Sequence, residues 1–139
     1  MQGKIFLDAD IIIKANDKSD FTLQTKAIEV VKRLITKGRG VISTQVMQEY
    51  AQTASEKLGQ KQSAVLRQLK ILETFEIVNQ TPVQVQRAFE IKHLYEVSFA
   101  DAMVISAAEQ ANCLEIYSQS LKTEPFYSGI KITNPLNFS

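Results

Sequence analysis

Apolar residues recur along this chain in two rhythms: short runs at 4–7, 40–43, 75–78, 114–117 and 130–133, and longer stretches between them spaced as helix stripes. The alternation predicts an α/β protein, with a central, mainly parallel sheet covered by helices in three α/β/α layers. The clearest stripe, Leu23, Ala27, Val30, Val31, Leu34 and Ile35, predicts a helix that stops at Gly38. A second helix is expected from Thr44 to Leu58, with Val46, Met47, Tyr50, Ala51, Ala54 and Leu58 inward and Glu49 off that face. Val65, Leu66, Leu69 and Leu72 mark a third, between Gly59 and the run at 75–78. Thr81, Pro82 and Gln84 read as N-cap, first helical position and capping box of a fourth, whose apolar side is Val85, Ala88, Phe89 and Tyr95. The last long helix starts at Ser98 with the stripe Ala100, Val104, Ala107, Ala108 and Ala111, small residues that imply close packing.

No repeat, low-complexity tract or composition shift divides the sequence, so residues 1–139 are expected to form one domain. A chain of 139 residues buries about two-thirds of its unfolded surface. A hydrophobic fraction of 45% argues against disorder. The net charge of +1 removes any global electrostatic case for a nucleic-acid partner. It leaves a local group, Lys32, Arg33, Lys37 and Arg39, read here as a solvated helix end. Cys113 is the single cysteine, which fits a reducing compartment and a small core residue. Asp8 and Asp10 interrupt the only N-terminal apolar run, so no signal peptide or membrane span is expected and the protein reads as soluble and cytoplasmic.

Candidate chemistry resides in carboxylates. Asp8 closes the first strand run, Glu49 follows the strand-to-helix switch at Val41–Thr44, and Asp101 lies in the first turn after Ser98. Ligands of open α/β sheets bind beyond the carboxyl ends of the strands, the edge to which Asp8, Ser43 and Ser118 map. Asp10 would share the face of Asp8 if extended backbone continued. Each acid also has a plainer role: Asp8 as a helix cap, Glu49 as an exposed helix residue, and Asp101 as part of the Ser-x-x-Asp capping pattern. Converging carboxylates raise one another's pKa unless a divalent ion holds them charged, and an all-oxygen set suits Mg²⁺ or Mn²⁺. Zinc is disfavoured, because His93 and Cys113 are the only His and Cys and neither falls in a ligand motif.

The segments Ile5–Asp10, Ile42–Tyr50 and Ser98–Ala102, followed by Ile116–Leu121 and Gly129–Pro135, resemble in order the successive blocks of PIN-domain ribonucleases, most closely VapC-type toxins of toxin–antitoxin systems. The resemblance implies a PIN fold and Mg²⁺- or Mn²⁺-dependent endonucleolytic cleavage of RNA. It places Asp8, Glu49 and Asp101 in the acidic positions, with Asp10 beside them, and implies a homodimer and an inhibitory antitoxin partner. The chain departs from the family pattern at two positions. Asp10 stands where the family usually has Asn, and Ser120 stands where it has a further acid. Asp10 would partly compensate, and Glu124 is a second candidate. Ser118 and Ser120 are read as donors to phosphate or water. Two competitors follow: a PIN-like RNA- or protein-binding module with weakened or lost catalysis, and, from Asp8-Ala9-Asp10 after an apolar strand, a resemblance to haloacid-dehalogenase-type phosphatases.

Overall fold

A computed structural model describes residues 3–121 and 126–137. Five short strands form the sheet: β1 (Ile5–Leu7), β2 (Gly40–Ser43), β3 (Glu76–Val78), β4 (Glu115–Tyr117) and β5 (Lys131–Thr133). Their order is β3-β2-β1-β4-β5, and every neighbouring pair is parallel. The expected α/β/α architecture is therefore present, with a sheet that is parallel throughout its named strands. The central strands are largely apolar because both faces are covered: Ile5, Phe6, Leu7, Val41, Ile42 and Ile116 are all buried, while Glu115 and Tyr117 of β4 are half-buried.

Six helices connect the strands: α1 (Ala9–Ala15), α2 (Phe21–Lys37), α3 (Thr44–Glu56), α4 (Gln62–Leu72), α5 (Pro82–Tyr95) and α6 (Phe99–Gln110). Side-chain oxygens of Asp8, Asp20, Ser43, Thr81 and Ser98 cap five of the N-termini. Thr81 and Gln84 form the expected reciprocal capping box, and Gly38 closes α2 in the left-handed conformation that glycine adopts freely. Helix α1 packs on α2 and α3, α3 on α4, and α5 on α6. Right-handed crossovers put α1–α4 on one face of the sheet and the α5–α6 pair on the other. None of the described helices is long and apolar enough to cross a membrane.

The structure corrects several expected faces. Val85 and Phe89 of α5 are exposed, whereas Gln84, Ala88 and Ile91 are buried. The Gln84 side-chain oxygen accepts from the Thr81 N–H, 2.9 Å away, which folds the amide back on the helix start, while its buried nitrogen has no partner among the described residues. Leu66 of α4 is exposed. Ala100 of α6 is exposed too, and Ala102 to Ala108 are buried without interruption, because α6 is enclosed by the sheet and α5 rather than lying on a surface. Phe75, assigned to the third strand run, precedes β3 and packs its ring against Gly40.

Candidate functional site

Strand β1 delivers Asp8 to the carboxyl edge of the sheet. Its N–H donates to the Tyr117 carbonyl (2.9 Å), which extends the β1–β4 pairing by one residue and fixes its backbone. Its Oδ1 accepts from the Ala9 N–H (2.7 Å) and its Oδ2 from the Ser118 hydroxyl (2.8 Å). Asp8 is thus both helix cap and buried acid, so the capping role does not compete with the site role. Ser118 is buried and held by its own N–H, which donates to the Thr133 carbonyl at 3.0 Å.

Asp10 lies in the first turn of α1 rather than on continuing strand, so it reaches the site by helical and not extended geometry. Its Oδ2 accepts from the N–H groups of Ser120 (2.8 Å) and Gln119 (3.0 Å) and lies 3.3 Å from the Ser118 hydroxyl. That hydroxyl has one proton for two carboxylates, and the shorter distance to Asp8 decides which receives it. Asp10 Oδ1 is buried and has no hydrogen-bond partner among the described residues.

Glu49 is half-buried, one turn into α3, and its Oε1 accepts from the Gln45 amide at 3.2 Å. Gln45 is held in turn by the Gln80 amide, which donates to its side-chain oxygen at 2.8 Å from the loop after β3. Asp101 is also half-buried, in the first turn of α6, where its N–H donates to the Ser98 hydroxyl oxygen at 3.1 Å.

The four acids share one electrostatic neighbourhood. Burial, then the charge of Asp10, pushes the Asp8 carboxyl up to about 7, against the opposing bonds from Ser118 and Ala9; Glu49 adds to the rise. Glu49 is raised by burial, opposed by the Gln45 bond, with Asp10 and Asp101 adding. Asp101 is raised by burial, opposed by the Ser98 hydroxyl, with Asp10 adding. Asp10 adds to the rise of each of the other three, so it lies within electrostatic reach of them all. As they stand, no three His, Cys, Asp or Glu side chains among the described residues form a group that could hold a metal ion.

Other residues singled out by their sequence fall elsewhere. Ser43 is buried and caps α3 through the Val46 N–H. Ser118 and the Ser120 N–H are committed to Asp8 and Asp10 rather than free for phosphate. Glu124 lies outside the described residues. His93 is exposed on α5, its ring nitrogen 3.0 Å from the Phe89 carbonyl. Cys113 is a core residue whose thiol burial pushes up to about 12. Lys32, Arg33 and Lys37 are exposed, and Arg39 bonds the Gly3 carbonyl just before β2, at the edge of the sheet opposite the acids. The phosphatase reading fails on Asp8: both its oxygens are engaged and the residue is 5% exposed, so it is no free nucleophile. Sequence reasoning missed the glutamine pair behind Glu49. The i, i+4 spacing of Gln45 and Glu49 on one helix was its only available signal.

Comparison with known proteins bears on the family and the fold. The PIN-domain family model matches residues 5–119. No curated protein sequence matches the chain. Among solved structures, a toxin–antitoxin complex from Klebsiella pneumoniae superposes with a TM-score of 0.71 at 18% identity, covering 95% of this chain and 98% of that one. VapBC2 from Rickettsia felis, bound to a promoter DNA fragment, gives 0.68 at 17% identity, covering 93% and 96%. The Mycobacterium tuberculosis toxin VapC20, which cleaves the sarcin–ricin loop, gives 0.66 at 18% identity, covering 84% and 90%. At such identities the likeness is one of fold.

Proposed function

The chain belongs to the PIN-domain family, and on that premise we propose that it is a VapC-type toxin, a metal-dependent endoribonuclease acting at Asp8, Asp10, Glu49 and Asp101. The observation that carries this reading is the position of Asp10. Its buried Oδ1, without a partner among the described residues, lies near acids whose ionisation Asp10 opposes, and a divalent cation would relieve both the orphaned oxygen and the repulsion. The donor set is all oxygen, which fits Mg²⁺ or Mn²⁺. When bound, the ion would offset charge on the phosphate oxygens and make a water molecule more acidic. Closing the set requires side-chain adjustment from the arrangement described above.

Asp8 and Asp10 are the pre-positioned members, braced by Ala9, Ser118, Gln119 and Ser120. Glu49, held by Gln45, and Asp101, on the first turn of α6, complete the set from the other side. Asp10 takes over the charge missing at Ser120: the carboxylate sits on the neighbouring element and rests on the Ser120 backbone N–H. The substrate is RNA with unpaired nucleotides, whose backbone bends into the acidic edge. An antitoxin protein is the expected partner, by the likeness to toxin–antitoxin complexes, and the family resemblance adds a second copy of the chain.

The test is cleavage of single-stranded RNA by purified protein in Mn²⁺ or Mg²⁺, and RNA degradation on induction in cells, for wild type, Asp8→Asn and Asp101→Asn. Loss of cleavage in both variants is expected; cleavage that survives either would end the assignment. A second reading, a PIN-like binding module without catalysis, is favoured by the exposed Ser120 in the usual acid position and by the unclosed ligand set. It predicts that Mn²⁺ binding is absent or indifferent to Asp8 and Asp101.

A further inference from the structure

A cleft of about 790 Å³ opens at the far ends of α1 and α3, between the loop that follows α1 and the turn into α4. Lys18, Lys57, Lys61 and Arg67 line it, against a single acid, Asp17. Asp17 is already occupied, accepting from the N–H and hydroxyl of Ser19 at 3.0 and 2.7 Å, with Lys14 at 3.9 Å. None of the four lining cations makes an ion pair among the described residues. In a chain of net charge +1 this concentration is a local asymmetry and not a general background.

Its location relates it to the acids. Asp10 and Asn16 bracket α1, six residues or about 9 Å apart along the helix, and Glu49 and Lys57 lie eight residues or about 12 Å apart on α3. The cationic cleft lies at the C-terminal ends of both helices, with Asp10 in the first turn of α1 and Glu49 midway along α3. A polyanion lying across the acids meets repulsion there and compensation one helix length away. The lining has no aromatic side chain on which a base would stack, so the cleft suits a sugar–phosphate backbone read without regard to sequence.

We propose that this cleft binds the phosphate backbone of the RNA strand a few nucleotides from the point of cleavage, through Lys18, Lys57, Lys61 and Arg67. The proposal rests on the ribonuclease reading but is separable from it by experiment. Binding of a fluorescein-labelled, unstructured RNA oligonucleotide is measured by anisotropy in EDTA, across a salt series, so that no cleavage intervenes. Lys57→Ala/Lys61→Ala is expected to lower the slope of log K against log salt by about 0.7 for each phosphate contact removed. Lys57→Glu/Lys61→Glu should weaken binding further, while Lys32→Glu/Lys37→Glu at the opposite edge leaves it unchanged. Circular dichroism confirms folding of each variant.

Equal loss in both pairs, or loss in neither, would overturn the proposal. So would unchanged RNA affinity in the Lys57/Lys61 variants with lost binding of an acidic peptide, which assigns the cleft to a protein segment. Cleft-dependent RNA binding in a wild-type protein that cleaves nothing supports the cleft and rejects the nuclease. Cleavage that depends on Asp8 with binding indifferent to Lys57 and Lys61 does the reverse.

Discussion

The Ser118 hydroxyl donates to Asp8 Oδ2 across 2.8 Å, joining residues 110 positions apart in sequence and both buried. The bond exists because β1 and β4 are parallel neighbours, so the residues that follow them emerge side by side. Ser118→Ala removes the donor and leaves a buried carboxylate under-satisfied, at a cost of about 1.5–3 kcal/mol for a bond to a charged acceptor. It also removes one of the two bonds that hold the Asp8 carboxyl down, so that carboxyl should titrate above its present value of about 7. Urea unfolding and carboxyl ¹³C NMR read the two effects, and an unchanged titration would mean that the serine does not hold Asp8.

Asp8 should also make the metal-free protein less stable as pH rises. Its carboxyl is raised from 3.8 unfolded to about 7 folded, chiefly by burial and then by Asp10. The native chain therefore keeps this proton longer; the stability this contributes is complete below the unfolded value and is lost as pH rises through the folded one. Glu49 and Asp101, also raised by burial, act in the same direction. Glu109, lowered by its bond from Arg87, acts oppositely, but its contribution is lost only as pH falls through its own depressed value, below this window. In EDTA, Tm should fall on the order of 5–10 °C between pH 4.5 and 8, and Asp8→Asn should flatten the decline. Mn²⁺ should raise Tm more at pH 8 than at pH 5, and calorimetry showing no such difference would count against the cation site.

Gln45 and Gln80 form a two-step brace behind Glu49, with bonds of 3.2 and 2.8 Å. Gln45→Ala frees the Glu49 carboxylate without opening the core, since Gln45 is only partly buried. Mn²⁺ affinity should drop about tenfold, the scale seen when a partner that orients a ligand is lost, with little change in unfolding. Gln80→Leu should act in the same direction and more weakly. Titration followed by electron paramagnetic resonance measures both, and undiminished affinity in Gln45→Ala would make the brace incidental.

Gly40 begins β2 with the Phe75 ring lying where a side chain would start and Leu34 Cβ 3.3 Å from the same point. Gly40→Ala must displace a buried aromatic ring, and overpacking of this kind costs about 1–3 kcal/mol. Chemical denaturation should show that loss, and Gly40→Ala/Phe75→Leu should recover part of it by making room.

The sheet was legible because each strand is an isolated apolar run, and α2, α3 and the cap of α5 were legible because their signals are local. The faces of α5 and α6 were not. Gln84 is folded back by a bond to its own helix start, and the middle of α6 from Ala102 to Ala108 is buried all round, so neither obeys a one-sided stripe. At the site, the acids were readable as candidates through ordered motif blocks. Their mutual arrangement was not, since Asp10 gains its place from the N–H groups of Gln119 and Ser120, a contact that only the strand order creates. Gln45 is marked only by its i, i+4 spacing from Glu49, and Gln80 by nothing, since it meets Gln45 only in the folded chain.

Because the brace on Asp8 and Asp10 comes from residues 118–120, about 110 positions further along the chain, the acid cluster cannot be ordered before that segment is in place. A ribosome makes the chain from its N-terminus, so Asp8, Asp10 and Glu49 emerge well before the segment that orients them. A partly synthesised molecule that stops short of residue 118 therefore lacks the hydroxyl and backbone donors that hold these two carboxylates in place.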